Sequence, residues 1–135
     1  MPLAVEIVTP SRILVQEQVD ELNVPGDLGY LGILPGHTSL LTNLGQGELM
    51  YRKGEQRHYL ALFGGYMEVH DDHVTVLADI AERAEEIDRP RAEAARGRAE
   101  QRLRDMHAHD IDFERARVAL MRALIRLQVA AHRGV

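Results

Sequence analysis

The stretch "AERAEEIDRPRAEAARGRAEQRLR", residues 81–104, marks a sharp change in the chemistry of this 135-residue chain. Before it the sequence is rich in Val, Leu, Gly and Tyr, whereas within it nearly every residue is Arg, Ala or Glu. The charge changes at the same place, since residues 1–82 contain 4 Lys+Arg and 12 Asp+Glu, and residues 83–135 contain 12 and 9. We therefore predict two modules, an acidic one at residues 1–84 and a mildly basic one at residues 85–135.

The composition excludes several functional classes. The chain has no cysteine, which excludes disulfides and thiol chemistry. No apolar run approaches the ~20 residues of a membrane-spanning helix, and "MPLAVEIVTPSR" does not resemble a signal peptide. Aromatic residues are 4% of the chain, too few to stack single-stranded nucleic acid, and serine occurs only at positions 11 and 39, outside any G-x-S-x-G context. We expect a soluble, cytosolic, non-catalytic protein that does not bind nucleic acid.

The first module is predicted to be all β. Short segments rich in β-branched and aromatic residues alternate with turn signals such as "PGDLG", "LPGH", "NLGQG", "FGG" and "HDDH". This pattern is typical of a β-sandwich or barrel and does not fit a helical period. The candidate strands are "LAVEIV" (3–8), "VDELNV" (19–24), "ELMYR" (48–52), "HYLALF" (58–63), "YMEVH" (66–70) and "HVTVLA" (73–78).

Two features of this module suggest a ligand site, but their context favours a structural role. The glycines of "GDLGYLGILPGH" (26–37) lack the spacing and the following helix of a phosphate-binding loop. We interpret them as turn residues, with Pro35-Gly36 in a type II turn and His37 as a hydrogen-bonding residue. The histidines of "HDDH" (70–73) flank a predicted hairpin turn without further clustered ligands, so we expect no metal site.

The second module is predicted to be a pair of helices. Asp88 is a good N-cap, and Pro90 is tolerated in the first turn of the helix that follows. "HAHDID" then interrupts the pattern, Asp112 can cap a second helix, and Gly134 can end it. The short connection predicts an antiparallel hairpin. The chain is therefore expected to be an α+β protein whose β module precedes a two-helix hairpin.

Each predicted helix carries a stripe of small and apolar residues that we expect to form the seam of the hairpin. The second helix has an additional apolar stripe, which a two-helix hairpin cannot cover and which must pack on the first module or on another protein. The seam stripes are Ala92, Ala95, Ala99, Leu103 and Met106, and Phe113, Ala116, Leu120, Leu124, Leu127 and Ala131. The additional stripe is Val118, Met121, Ile125 and Val129.

Arginines form one aligned row on each helix, within a band of about 40° if successive residues turn by about 100°. The rows are Arg91, Arg98 and Arg102 on the first helix and Arg115, Arg122, Arg126 and Arg133 on the second. One interpretation is a solvated surface that pairs with local glutamates. The other is a surface for an acidic protein or a phosphate-bearing ligand, because the guanidinium fork matches carboxylates and phosphates.

Several short motifs occur in one order over nearly the whole chain: "VEIVTP" (5–10), "GILPGH" (32–37), "GGYMEV" (64–69), "VTVLAD" (74–79), "AERAEEID" (81–88), "RA" (91–92) and "DIDFERA" (110–116). In this combination the chain resembles the epsilon subunits of bacterial and chloroplast rotary, F-type ATP synthases. The resemblance implies an N-terminal flattened β-sandwich at residues 1–84 and a regulatory C-terminal antiparallel two-helix hairpin at residues 85–135.

The resemblance also implies a non-catalytic rotor subunit in the central stalk, peripheral at the cytoplasmic face of the bacterial plasma membrane and held there by the ATP synthase complex. The sandwich is expected to bind the gamma subunit and to rest on the c-ring. The hairpin is expected either to lie folded on the sandwich or to extend along gamma into the catalytic head of alpha and beta subunits, where it blocks ATP hydrolysis. Arg115, Arg122, Arg126 and Arg133 are then expected to face an acidic segment of the beta subunit.

Some bacterial members of the family bind ATP through an [IL]-D-x-x-R-A motif, which "IDRPRA" (87–92) matches. The resemblance implies that no cofactor is required and that ATP is a candidate regulatory ligand. The implied ATP site consists of Glu82, Ile87, Asp88, Arg91, Ala92, Arg98, Arg122 and Arg126. The competing interpretation is that Asp88 only caps the helix and that the arginines serve the beta subunit.

One position departs from the family pattern. Where relatives often have "GELGI", this chain has "GYLGI", so that Tyr30 replaces a glutamate implicated in contact with the c-ring loop. The resemblance implies c-ring contacts for the loop 28–37, with Tyr30 and His37 as candidate residues, and the substitution puts that one polar contact in doubt.

A free-standing ATP-sensing module is the alternative function, since arginines from both helices could close on a triphosphate without any partner protein. Copurification with a gamma subunit would favour the rotor subunit, whereas a solitary monomer with tight ATP affinity would favour the sensor. An enzyme is the third class, and the sequence offers no catalytic constellation for it.

Overall fold

The computed structural model describes residues 1–107 and 109–132, and the chain divides into two compact units, Met1–Arg83 and Ala84–Val135. The first unit is a β-sandwich and the second is an antiparallel two-helix hairpin, so the predicted fold class is confirmed. The units meet at the change of composition from which the sequence analysis began. Arg133 and Gly134, which the sequence singled out, lie outside the described residues.

Seven strands form one hydrogen-bonded sheet in the first unit. Their order across the sheet is β2-β1-β7-β6-β5-β3-β4. All neighbouring pairs are antiparallel except β1 and β7, which are parallel. The strands are β1 (Leu3–Val8), β2 (Ile13–Val19), β3 (Glu21–Gly26), β4 (Gly29–Ile33), β5 (Leu40–Lys53), β6 (Gln56–His70) and β7 (His73–Arg83).

The sequence pattern missed two strands, predicted only the second half of a third and divided a fourth into two. β2 and β4 were not predicted, because "ILVQEQV" does not alternate and "GYLGI" contains two glycines. β5 and β6 continue through "NLGQG" and "FGG", where the sequence predicts turns. Glycine can mark a bend inside a strand as well as a turn at its end, and local sequence does not distinguish these uses.

The inward-facing positions of β6 change at Gly64 and Gly65. Residues 60–63 are all buried, but only Leu60 and Leu62 among them belong to the sandwich core, and Met67 and Val69 belong to it after the glycines. Successive side chains of a strand point to opposite faces, so even-numbered positions 60 and 62 and odd-numbered positions 67 and 69 would face opposite sides of a regular strand. The strand therefore turns its other face to the core at the glycines. The φ angles of 80° at Gly64 and 131° at Gly65 allow this, because only glycine adopts them at low cost. Both halves of the strand consequently pack into the same apolar core.

Side-chain bonds close the sheet between strands that are not neighbours within it. The Glu17 carboxylate on β2 accepts a hydrogen bond from Lys53 Nζ at 2.8 Å and one from Tyr51 Oη at 2.9 Å, both on β5. The bond from Lys53 lowers the pKa of Glu17, while its partial burial acts in the opposite direction. The Arg83 guanidinium on β7 donates to the carbonyl of Leu14 on β2. These bonds hold the two layers of the sandwich around the core.

The second unit begins with a 3-10 turn at Ala84–Glu86 and continues as helices α1 (Arg89–Asp105) and α2 (Phe113–Ala130). Asp88 caps α1 as predicted, since its Oδ1 accepts from the backbone nitrogen of Arg91 at 3.1 Å. Asp112 occupies the N-cap position of α2, but its side chain makes no capping bond. Among the described residues, neither helix is long and apolar enough to cross a membrane.

Alanines form the seam between the two helices. The buried residues of this seam are Ala92 and Ala99 on α1 and Ala116, Ala123 and Ala130 on α2, and Val129, predicted in the additional stripe of α2, is buried as well. The predicted stripe of α1 agrees with this pattern, but the predicted stripe of α2 was wrong for two residues. Leu124 is 47% exposed and Ala131 is exposed, because the seam of α2 follows the seven-residue spacing of its alanines rather than the leucines. Small side chains let the backbones approach closely.

We predict opposite effects for two glycine-to-alanine changes. A Cβ at Gly65 would overlap the carbonyl oxygen of Leu77, so Gly65→Ala should reduce the free energy of unfolding of the sandwich by about 3 kcal/mol or more. A Cβ at Gly97, inside α1, meets nothing within 4 Å, so Gly97→Ala should stabilise the hairpin by about 0.5–1 kcal/mol.

Denaturant titration can follow the two units separately in the full chain. All four tyrosines lie in the first unit, so their fluorescence reports the sandwich, whereas far-ultraviolet circular dichroism is dominated by the helices. An unchanged tyrosine transition in Gly65→Ala would contradict the steric role of this glycine.

Candidate functional site

The two arginine rows lie on the same side of the hairpin. Arg91, Arg98, Arg115 and Arg122 each immediately precede a buried seam alanine, so each is rotated by about 100° from the seam in the same sense. Two right-handed helices that run in opposite directions are related by a twofold axis perpendicular to the plane of the hairpin, and therefore equal rotations from the seam reach the same side of it. In agreement, Arg102 of α1 and Arg115 of α2 line one cleft of about 460 Å³.

The opposite side of the hairpin is neutralised by local ion pairs. Arg96 forms an ion pair with Glu93 and a second one with Glu100, in which Arg96 Nε lies 3.3 Å from Glu100 Oε1. Arg117 Nε donates a hydrogen bond to Glu114 Oε2 at 3.0 Å. The hydrogen bond from Arg117 lowers the pKa of Glu114, which remains ionised as its partner. Solvated pairing with glutamate therefore describes this side of the hairpin well.

The arginine rows differ from that side. Within the described ranges, Arg98 and Arg102 make no ion pair. Arg115 makes one ion pair, with 3.7 Å between its Nη1 and Asp112 Oδ1, and 84% of the Arg115 side chain is exposed. Exposed pairs of this kind contribute at most about 1 kcal/mol. Arg122 and Arg126 continue the row but are half-buried. The result is a one-sided basic surface, which we call the arginine face: Arg91, Arg98, Arg102, Arg115, Arg122 and Arg126.

The four motif residues of "IDRPRA", at the start of α1, comprise two buried and two exposed positions. Ile87 and Ala92 are buried, which anchors the segment, whereas Asp88 and Arg91 are exposed. Seven of the eight residues predicted for the ATP site belong to the hairpin unit. The eighth, Glu82, is half-buried near the end of β7 in the sandwich unit.

The sandwich carries an exposed apolar surface that the sequence analysis did not identify. Four apolar residues are paired in a row across the adjacent strands β2, β1, β7 and β6: Ile13, Val8, Leu77 and Tyr66. On the next strand, β5, Leu41 lies diagonally opposite Tyr66. Val8 is half-buried and the other four side chains are between 45% and 73% exposed. We call this set the apolar row. The sequence feature that could have indicated this surface is the presence of an apolar residue at an outward-facing position of two predicted strands, Tyr66 in "YMEVH" and Leu77 in "HVTVLA".

Within the segment 28–37, which we predicted as a loop, Tyr30 lies on strand β4 and His37 lies in the turn that follows that strand. Tyr30 is exposed, and its hydroxyl accepts a hydrogen bond from the backbone nitrogen of Glu48 at 3.0 Å, which ties β4 to β5 across β3. His37 is half-buried, with Nδ1 2.7 Å from the carbonyl oxygen of Thr38. The backbone nitrogen of His37 donates a hydrogen bond to the Leu34 carbonyl at 3.1 Å, and this bond closes the turn. The φ angle of 88° at Gly36 is the one expected for a type II turn.

No other kind of site emerges from the described part of the chain. Its residues contain no group of three or more His, Asp or Glu side chains placed to hold a metal ion. Two shallow clefts of about 390 and 460 Å³ lie on the sheet and are lined by ordinary strand residues. The arginine face, the apolar row and the loop 28–37 are therefore the candidate functional surfaces.

Comparisons with known proteins cover both units. Residues 2–84 match the family model described as ATP synthase, Delta/Epsilon chain, beta-sandwich domain. Residues 85–131 match the model described as ATP synthase, Delta/Epsilon chain, long alpha-helix domain. Together the two models span almost the entire chain.

Bacterial relatives are similar over nearly their full length. The ATP synthase epsilon chain 2 of Syntrophotalea carbinolica is 49% identical over 132 residues, which covers 98% of this chain and 96% of the relative. The ATP synthase epsilon chain of Geobacter sulfurreducens is 52% identical over 128 residues, with 95% and 93% covered.

A solved structure shares the fold. A chain of the mitochondrial ATP synthase of Euglena gracilis, determined as an OSCP/F1/c-ring assembly, matches with a TM-score of 0.70 and 21% identity. The match covers 96% of this chain and 78% of that one. At this identity the similarity supports the architecture alone.

Proposed function

Because this chain belongs to the family of F-type ATP synthase epsilon chains, we propose that it is a non-catalytic rotor subunit that joins the gamma subunit to the c-ring and restrains ATP hydrolysis through its hairpin. The observation that carries the regulatory part is the arginine face, which has exposed cations on one side of a hairpin whose other side is already neutralised. The catalytic chemistry belongs to other subunits of the complex.

The apolar row supports docking of the sandwich on gamma. A row of exposed apolar side chains across five strands is costly in water unless a partner covers it, and such surfaces mark interaction sites. The resemblance supplies the partner, since gamma is the shaft to which epsilon sandwiches bind. The row lies on the rigid sheet rather than in a loop, so it offers a preformed surface.

The loop 28–37 supports contact with the c-ring. Leu34 is exposed beside the Pro35-Gly36 turn at one end of β4, and Leu28 and Tyr30 are exposed at its other end. Since the Tyr30 hydroxyl bonds to the sheet, this side chain presents its ring rather than a charge to a partner. We propose an apolar c-ring contact here in place of the glutamate contact of relatives.

The arginine face supports inhibition by the extended hairpin. Arg98, Arg102 and Arg115 have little local neutralisation, so an acidic segment of the beta subunit would gain more from them than from the ion-paired side. Inhibition is then a population shift between a folded and an extended hairpin, and a ligand moves it only through different affinities for the two states.

ATP is the ligand that we propose to favour the folded hairpin. Arginines from both helices lie on one face, where a triphosphate could receive several guanidinium bonds at once. The capping bond from Asp88 to the Arg91 nitrogen uses Oδ1, and the exposed carboxylate keeps acceptor capacity for the nucleotide. ATP bound in this way would oppose inhibition.

We expect a charge placed in the apolar row to break the complex with gamma. Leu77→Asp should weaken copurification by at least about tenfold, because a carboxylate would be buried in an apolar interface. Thr75→Asp is the matched control. Thr75 lies two residues before Leu77 on the same face of β7, where its strand neighbours are Glu6 and Glu68 rather than apolar residues. Equal gamma binding by both variants would argue against this docking surface.

Removal of residues 89–135 should leave the sandwich assembled and raise ATP hydrolysis in the reconstituted complex by roughly fivefold or more, the usual size of such couplings. Arg115→Gln should reproduce part of this increase, whereas Arg117→Gln, two residues along on the ion-paired side, should not. Steady-state ATPase assays provide the measurement. Unchanged hydrolysis in the truncated complex would exclude an inhibitory hairpin in this protein.

Isothermal titration of the full-length subunit tests the ATP proposal. We expect measurable ATP binding, about tenfold weaker in Arg98→Ala through the loss of one charge-assisted bond. Arg104→Ala is the control, since Arg104 is an exposed arginine of α1 that bonds to Gln101 away from the arginine face. The absence of heat at millimolar ATP would remove nucleotide sensing from the function.

A further inference from the structure

The turn between β6 and β7 has an unusual backbone. Asp71 and Asp72 both adopt left-handed conformations, with φ of 48° and 60°, where glycine or asparagine would be less strained. Aspartate tolerates this region better than most residues, yet it is not the default choice. A side-chain function at one of the two positions would explain why this turn is not built from glycine.

Asp72 bonds to a segment that is distant in sequence. Its Oδ1 accepts a hydrogen bond from the backbone nitrogen of Gly36 at 2.7 Å, across 36 residues of sequence. Its carbonyl accepts from the backbone nitrogen of Ala4 at 2.8 Å, which fixes the turn on β1. The backbone of Asp72 is thus tied to β1, and its carboxylate points at the Pro35-Gly36 turn.

The bond to Gly36 selects one form of that turn. Types I and II differ mainly by a flip of the central peptide, and the Gly36 nitrogen belongs to this peptide. The closing bond from His37 to Leu34 is compatible with both forms, whereas the bond to Asp72 requires the orientation observed. A charge-assisted bond of this length is stronger than a neutral one.

A second contact reinforces the same connection. Ser39 Oγ lies 3.2 Å from His70 Nδ1, and His70 Nε2 lies 3.2 Å from Asp71 Oδ2. The β6–β7 turn thus holds the loop at Gly36 and again at Ser39, on either side of His37. These side chains are exposed, so we assign the larger part of the restraint to the shorter bond from Asp72.

We propose that Asp72 is a positioning residue, which locks the Pro35-Gly36 turn and so presents the exposed Leu34 and the neighbouring His37 in the orientation that meets the c-ring. This inference rests on the proposed function of the loop 28–37. It adds a residue from a separate hairpin that does not itself need to touch the ring.

Asp72→Gly tests the proposal with Asp71→Gly as the matched control. Both changes remove one carboxylate and relieve a left-handed backbone, but only Asp72 bonds to Gly36. In the full-length subunit, hydrogen exchange of the Gly36 amide measured by NMR should accelerate about tenfold in Asp72→Gly and much less in Asp71→Gly, which loses only the weaker contact through His70. Asp72→Asn keeps an oxygen acceptor and should restore most of the protection.

In the reconstituted complex, the ratio of protons pumped to ATP hydrolysed should fall clearly more in Asp72→Gly than in Asp71→Gly. Unaltered Gly36 exchange in Asp72→Gly would overturn the proposal. The proposal would also be overturned if Asp72→Gly showed faster Gly36 exchange but normal coupling, while Leu34→Asp, which disrupts the loop surface directly, uncoupled the complex. If Leu34→Asp also leaves coupling normal, the c-ring role of the loop fails, and the positioning role falls with it.

Discussion

The absence of a side chain at Gly65 is the constraint on which the sandwich depends. A Cβ at this position would overlap the Leu77 carbonyl, so β6 and β7 can pass each other at this distance only with glycine. The left-handed backbone at Gly64 and Gly65 then reverses the face of β6 that meets the core. A single sheet can in this way cover one core from two sides. The same reversal turns Tyr66 and Leu77 outward as neighbours, so the apolar row is a geometric consequence of the bend.

The sequence predicted the hairpin better than the sandwich, because helix signals are local. Asp88 caps α1 where expected, and a rotation of about 100° per residue suffices to align the arginine rows. The strands depend on partners far away in sequence. β2 is stabilised by β1 and by the bonds of Glu17 to β5, none of which "ILVQEQV" reveals. The apolar row was missed for the same reason, since it exists only across five strands. The Asp72 bond likewise spans residues that no local pattern connects.

Charge is divided within the hairpin rather than only between the two units. The composition shows a mildly basic segment, but the structure places the ion pairs of Arg96 and Arg117 on one side and the arginine face on the other. The net positive charge of the segment is therefore concentrated on one surface. Such a surface attracts an acidic partner more strongly than the same charge spread evenly, because its guanidinium groups act on the partner together.

The alanine seam also bears on how a hairpin could change partners. Burial stabilises in proportion to apolar area, about 25 cal/mol per Å², so alanines contribute much less than leucines in the same positions. Two helices joined mainly through alanines approach closely but gain little from each other. The larger side chains of α2, among them Val118, Ile125 and the exposed Met121 and Leu124, lie off the seam and carry most of the remaining apolar surface. In the proposed mechanism, whichever surface covers them supplies much of the energy that positions the hairpin. Modest differences in affinity between two such surfaces, or a nucleotide on the arginine face, would then be enough to shift the balance.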